Sequence, residues 1–140
     1  MEKTDCIFCK IIKGEIPSHK LYEDEFFIAV LDLNPAAYGH TLIISKSHHE
    51  NLLDLGDTAG ANFIKAAQMV ARAVIAATEA ESFNLIQNNG NFAGQTVFHF
   101  HAHIVPRKQI DGLNFSWIAK SAPKGFMLEM TEKITRELNP

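Results

Sequence analysis

The sequence predicts an α+β domain: a five-stranded antiparallel sheet with one long helix and a C-terminal helix. Three observations predict it. Short β-branched or aromatic segments are parted by brief Pro, Gly and Asn turns, which favours antiparallel strands with helices set to one side. One long stretch alone has helical spacing: after Asp57, the residues Phe63, Ala67, Val70, Ala71 and Val74 recur at steps of three and four. The chain has 140 residues, 46% hydrophobic and 21% charged, enough material for one unstapled core. A single domain over residues 1–140 is expected, because no repeat, low-complexity tract or linker interrupts it.

The elements follow in order. Residues 6–14 read as a short helical turn closed by Gly14, after which Ile16-Pro17 redirects the chain. Leu21–Asp24 and Phe26–Leu31 form a hairpin pair. Asn34-Pro35 and Gly39 punctuate a loop, and His40–Ser45 supplies a third strand. The long helix starts at Asp57, taken as its N-cap, and ends near Glu79, with Lys65 and Arg72 on its polar side. Phe83–Gln87 is the fourth strand. Residues 88–95 form a glycine-bearing loop, and Thr96–Val105 is the fifth strand, stopped by Pro106. Phe126, Met130, Ile134 and Leu138, at steps of four, give the C-terminal helix.

Charge and composition exclude several classes of function. A formal charge of −3 argues against a general nucleic-acid binder, which presents a basic face. A small anion is still accessible to local backbone amides. No apolar run approaches the ~20 residues of a membrane helix. The start, Met1-Glu2-Lys3-Thr4-Asp5, lacks the layout of a signal peptide, so a cytoplasmic location is the expectation. Cys6 and Cys9 are then a metal half-site, a redox pair or two unrelated buried thiols, before they are a structural disulfide.

The informative segment is Val97-Phe98-His99-Phe100-His101-Ala102-His103-Ile104-Val105. Alternation on a strand sends Phe98, Phe100, Ala102 and Ile104 to a core and the three histidines to the opposite face. They would stand about 6–7 Å apart along the strand. Imidazoles titrate near neutrality and serve as nucleophile, acid-base group or metal ligand. Two other readings stand beside catalysis. One is a solvated polar face; the other is a three-histidine metal site, although a straight row diverges too far for one tetrahedral ion. The preceding Asn88-Asn89-Gly90-Asn91-Phe92-Ala93-Gly94-Gln95-Thr96 favours a phosphate site. Its glycines let backbone amides approach closely, and its side chains add neutral donors suited to a singly charged phosphodiester or phosphoramidate.

The run Gly94–Arg107 resembles the signature of the histidine triad (HIT) family, in its prokaryotic, Hint-like branch. The resemblance extends to Cys6–Ile12, Gly14–Ser18, Leu31–Pro35 and Gly39–Ile44, with Lys46 and His48 beyond; the last third matches less well. It implies that His101 attacks the α-phosphorus of a nucleotide, expels the leaving group and is freed by water. It also implies that His101 is held by a backbone carbonyl of a neighbouring strand, and that His103 assists the leaving group. Asn88, Gly94, Gln95 and Thr96 fall at phosphate and ribose positions, although Gln95 could simply buttress the loop. His40 stands beside the site, and Asp32 meets the ribose or merely turns the chain before Asn34-Pro35. The base takes an apolar slot near the first strands.

The resemblance further implies that Cys6, Cys9, His48 and His99 hold a structural zinc ion, with His49 as a substitute for His48 and His19 left in an exposed loop. It implies a homodimer with each C-terminal segment near the partner's site, where Asn114-Phe115-Ser116 and Trp117 could contribute; Trp117 could equally be core. The expected activity is hydrolysis of a purine nucleoside phosphoramidate, an AMP–amine P–N bond, through a nucleotidyl-histidine intermediate. The alternatives are dinucleoside polyphosphate hydrolysis, non-catalytic binding of a purine nucleotide, and metal sequestration. Neither nucleic acid nor membrane is an expected partner.

Overall fold

A computed structural model describes residues 4–140. Met1, Glu2 and Lys3, on which part of the signal-peptide reading fell, lie outside the described residues. The order is α1 (Ile7–Ile12), β1 (Lys20–Glu23), β2 (Phe27–Leu31), β3 (Thr41–Ser45), α2 (Asp57–Thr78), β4 (Ser82–Gln87), β5 (His101–Arg107) and α3 (Phe126–Leu138). Short 3-10 turns occupy Leu52–Asp54 and Asn91–Ala93. The five strands form one sheet in the order β1-β2-β3-β5-β4, every neighbour antiparallel.

Register decides which side chains share a face. Ile28 pairs with Ile44 and Ile44 with His101, while Val30 pairs with Leu42 and Leu42 with His103. These six residues therefore stand on one face. The other face carries Phe27, Ala29, Ile43, Ala102 and Ile104. Against it α2 lays Ala66, Ala67, Val70, Ala71 and Val74, forming the main core with Phe100. The small alanines let the helix approach the sheet closely. α1 lies on the histidine face instead, where Phe8 joins Ile28, Val30, Leu42 and Ile44 in a second apolar cluster. The helices are thus divided between the two faces, because the apolar side of α1 matches the aliphatic strip beside the histidines.

Three local expectations are corrected. Asp57 is the first residue of α2 and not its cap; Gly56, at φ +75°, holds the cap position. β5 begins at His101 and not at Thr96, since β3 ends at Ser45, whose N–H reaches only as far as the Phe100 carbonyl. Residues 96–100 are irregular, so Phe98 escapes the core and is half exposed. At its far end β5 runs through Pro106 to Arg107. β3 stops at Thr41 opposite Ile104, so Pro106 lies where β5 has β4 alone beside it, and such an open side tolerates proline.

Candidate active site

His101 is buried near the middle of the histidine face. Its Nδ1 lies 2.7 Å from the carbonyl oxygen of His99. A carbonyl only accepts, so Nδ1 carries the proton and donates. In the neutral ring Nε2 then holds the lone pair. The acceptor is two residues upstream and not on a neighbouring strand as expected, because the irregular segment before β5 turns the His99 peptide toward the ring. Burial pushes the pKa of His101 down, partly opposed by the His99 carbonyl, so the ring is neutral at pH 7. Phe8 packs edge-on against it at 4.9 Å and His103 stands 5.2 Å away.

The second histidine is set by a chain of donors. The Ala36 N–H donates to His40 Nδ1 at 3.0 Å, which leaves the His40 proton on Nε2. That Nε2–H donates to His103 Nδ1 at 2.9 Å, and so the proton of His103 resides on Nε2. Asp32 completes the chain, its Oδ2 3.6 Å from His40 Nε2, while its Oδ1 accepts from the Asn34 N–H at 2.8 Å. The turn reading of Asp32 is realised, and its other carboxylate oxygen faces His40. Burial first, then the rings of His101 and His40, push His103 down to about 4, against the pull of Asp32.

The loop after β4 returns to the same level. Gln87 pairs with Ala102, so Asn88 is one step further along, at the level of His101. The turn Asn91–Ala93 lies between Gly90 and Gly94, both at positive φ. A Cβ on Gly94 would approach the Asn88 amide at 3.5 Å. Gln95 is buried and spends its amide on the chain: Oε1 accepts from the Gly90 N–H, and Nε2 donates to the carbonyls of Glu50 and Val97. It braces the loop, beside which Asn88 is half-buried and Thr96 exposed.

A second group of donors sits behind the first. One ligand atom from each of Cys6, Cys9, His48 and His99 lies within 4.8 Å of the others. Cys6 Sγ and Cys9 Sγ are 3.3 and 3.6 Å from His99 Nδ1, and Cys9 Sγ is 3.4 Å from His48 Nδ1. His99 Nε2–H donates to the Ser45 carbonyl at 2.7 Å, which leaves the Nδ1 lone pair aimed at the sulfurs. Burial also pushes His99 down to about 4, keeping that lone pair available. The residues fit a tetrahedral thiophilic ion. The side chain of His49 does not join this group, whereas that of His48 does; His19 is exposed.

Asp32, His40 and His103 also bring three donors within 4.8 Å of one another. Their hydrogen bonds argue against an ion there. A metal on His40 Nε2 requires the proton on Nδ1, where the Ala36 N–H already points. Sequence reasoning missed Ala36, Ser45 and the His99 carbonyl, since each acts through its backbone. It also missed Phe8, whose signal was its place between the two cysteines.

Comparison with known proteins then fixes the family. The HIT domain family matches residues 13–110. The chain belongs to this family. It is 43% identical over 116 residues to a Saccharomyces cerevisiae protein named adenosine 5'-monophosphoramidase HNT1, covering 82% of this chain and 71% of that one. It is 44% identical over 119 residues to an Arabidopsis thaliana protein named adenylylsulfatase HINT3. That match covers 85% of this chain and spans 59% of the plant protein. A HIT family structure from Bacillus subtilis superposes with a TM-score of 0.90 at 39% identity, covering 97% of this chain and 99% of that one. A Zn-bound histidine triad family protein from Mycobacterium smegmatis superposes at 0.75, with 41% identity over 79% of this chain and 81% of that one.

Proposed function

We propose that this HIT protein is a nucleotide hydrolase that cleaves purine nucleoside phosphoramidates through a covalent intermediate on His101. One observation carries the reading: a buried, neutral imidazole has one nitrogen tied to a carbonyl and its other lone pair available. His101 Nε2 attacks the α-phosphorus, forming a P–N bond to the ring while the bond to the amine breaks. The departing amine takes the proton of His103 Nε2–H, which His40 holds on that nitrogen. Water then attacks the same phosphorus, giving its proton to His103 Nε2 as the P–N bond to His101 breaks, which releases AMP and restores both rings.

The remaining residues bind and orient. Asn88, Thr96 and the backbone at Gly94 contact the phosphate, with Gln95 behind them. Asp32 meets the ribose hydroxyls, and the base takes an apolar slot near the first strands. The relatives named for a phosphoramidase and an adenylylsulfatase support this, because both names describe loss of a group from AMP phosphorus. Zinc on Cys6, Cys9, His48 and His99 has a structural place, as all four positions of a tetrahedron are taken by protein. Among the described residues no helix is long and apolar enough to cross a membrane.

The working unit is a homodimer. α3 has no buried residue, and a 13-residue helix is marginal alone in water, so its apolar stripe needs a second surface. Asn114, Phe115, Ser116 and Trp117 precede it; Trp117 is 87% exposed, which removes its reading as core.

The test is hydrolysis of a fluorogenic adenosine phosphoramidate by wild type and His101→Ala. Wild type turns over, and the variant loses at least about 10³-fold in kcat while still binding AMP. Normal activity in the variant would sink the mechanism. If neither protein turns over, dinucleoside polyphosphates are the next substrates, followed by the non-catalytic binding role.

A further inference from the structure

The burial of His101 dictates where its leaving group goes. The ring is 7% exposed, and displacement at phosphorus sets the entering and leaving atoms roughly in line. The departing amine therefore stands on the far side of the phosphorus from His101, and its substituent points out of the histidine face. The loop after β4 borders that exit. From Asn88 to Thr96 it carries no charged side chain and one large apolar one, Phe92.

An exposed apolar side chain is ordinary on a surface. The mounting of Phe92 sets it apart. It is fully exposed, at the middle of the turn Asn91–Ala93, and the turn beneath it is closed. The N–H groups of Ala93 and Gln95 donate to the Gly90 carbonyl at 3.2 and 3.1 Å, and that of Gly94 to the Asn91 carbonyl at 3.0 Å. Asn89 Oδ1 accepts from the Leu52 N–H at 2.8 Å, tying the loop to its neighbour. The ring is thus held outward by a braced backbone. Its distance also suits. Phe92 lies two residues from Gly94, a span of at most about 7 Å, and Gly94 sits against the Asn88 amide. A phosphate held by Asn88 and Thr96 therefore has this ring within reach of whatever its leaving group carries.

We propose that Phe92 determines leaving-group specificity: it receives the apolar substituent of the departing amine, so that arylalkyl phosphoramidates are preferred to unsubstituted ones. The proposal rests on the nucleotide hydrolase reading and deepens it. Phe92 takes no part in the bonds made and broken; it changes only which amine is held while the P–N bond breaks. The loop has no cation to meet a leaving group of repeated phosphates, whereas an aryl group finds a ring to pack on.

The experiment compares two phosphoramidates of AMP, one of ammonia and one of benzylamine. These amines are nearly equal in basicity, so the chemistry is matched and the ring differs. In wild type the benzyl compound should have the higher kcat/KM, by about 3–10-fold. Phe92→Ala should bring that ratio close to one, and Phe92→Tyr, which keeps a ring, should retain it. Sedimentation should give both variants the same oligomeric state as wild type.

A ratio unaltered by Phe92→Ala would overturn the proposal, whether neither value moves or both fall alike with a disturbed loop. Loss of the ratio in step with dissociation of the variant would also overturn it, making Phe92 an interface residue. Failure of the wild type to hydrolyse either compound would count against His101 as nucleophile instead. Calorimetry of the same two compounds with wild type and Phe92→Ala would then decide the role of Phe92 by the ratio of their Kd values.

Discussion

Gln95 shows how much of the site depends on a residue that need touch no substrate. It is buried, and its amide serves three backbone groups from three parts of the chain: Gly90, Val97 and Glu50. Gln95→Ala would leave one N–H and two carbonyls, all partly buried, without this partner, at a cost of about 1–3 kcal/mol. Chemical denaturation would read that loss, and a change under 1 kcal/mol would show that the loop is braced elsewhere. The histidines make a prediction of another kind. Burial depresses His101 and holds His103 near 4, so the acid limb of kcat/KM should lie below the ordinary imidazole value of about 6.5. The sign follows from the nucleophile: a lowered pKa keeps the attacking ring neutral, and activity persists as pH falls through 6.5. A limb at or above 6.5 in a pH profile would contradict a buried, neutral His101. The alternation of His-Phe-His-Ala-His made the residues legible in the sequence. Their tautomers were not, because the Ala36 N–H and the His99 and Ser45 carbonyls reach them only after folding.

At the scale of elements, α2 was legible because five apolar residues at helical spacing leave one buried stripe, and that stripe lies on Phe27, Ile43 and Ile104. Its cap was less so, since Gly56 and not Asp57 precedes the first turn; the finish falls at Glu79 as expected, at φ +53° in the left-handed region. Glu79→Gly should raise stability by up to about 1 kcal/mol, since glycine occupies that region without Cβ strain. Thermal unfolding checks it, and a lowered midpoint would mean that the Glu79 side chain is needed. Gly39 presents the opposite case. It stands at φ +94°, and a Cβ there would meet Thr78 Cγ2 at the end of α2 at 2.5 Å. Gly39→Ala is expected to cost about 2 kcal/mol or more and to displace the adjacent His40, lowering kcat as well as stability. The start of β5 escaped sequence reasoning for a similar reason. Nothing in Thr96–Phe100 forbids a strand; what ends it is the extent of β3, a fact about another segment.

At the scale of the whole molecule the two sheet edges are treated differently. β1 is four residues long, is bulged between Lys20 and Tyr22, and carries the Lys20–Glu23–Lys46 ion pairs. Bulges and charges of this kind keep a strand from recruiting another. β4 has six residues in regular register and leaves Phe83 and Leu85 43% and 42% exposed on the α2 face. In the homodimer proposed above, that edge pairs with its own copy and joins the two sheets. Sedimentation of the wild type should therefore report a dimer at micromolar concentration. Leu85→Lys places a charge on the exposed apolar edge, where the unpaired monomer tolerates it and the joined sheet does not. The variant should shift toward monomer by at least about 10-fold in dissociation constant, with the circular dichroism of the sheet retained. A dimer unaffected by Leu85→Lys would move the interface off β4 and leave the apolar stripe of α3 to be covered by some other surface.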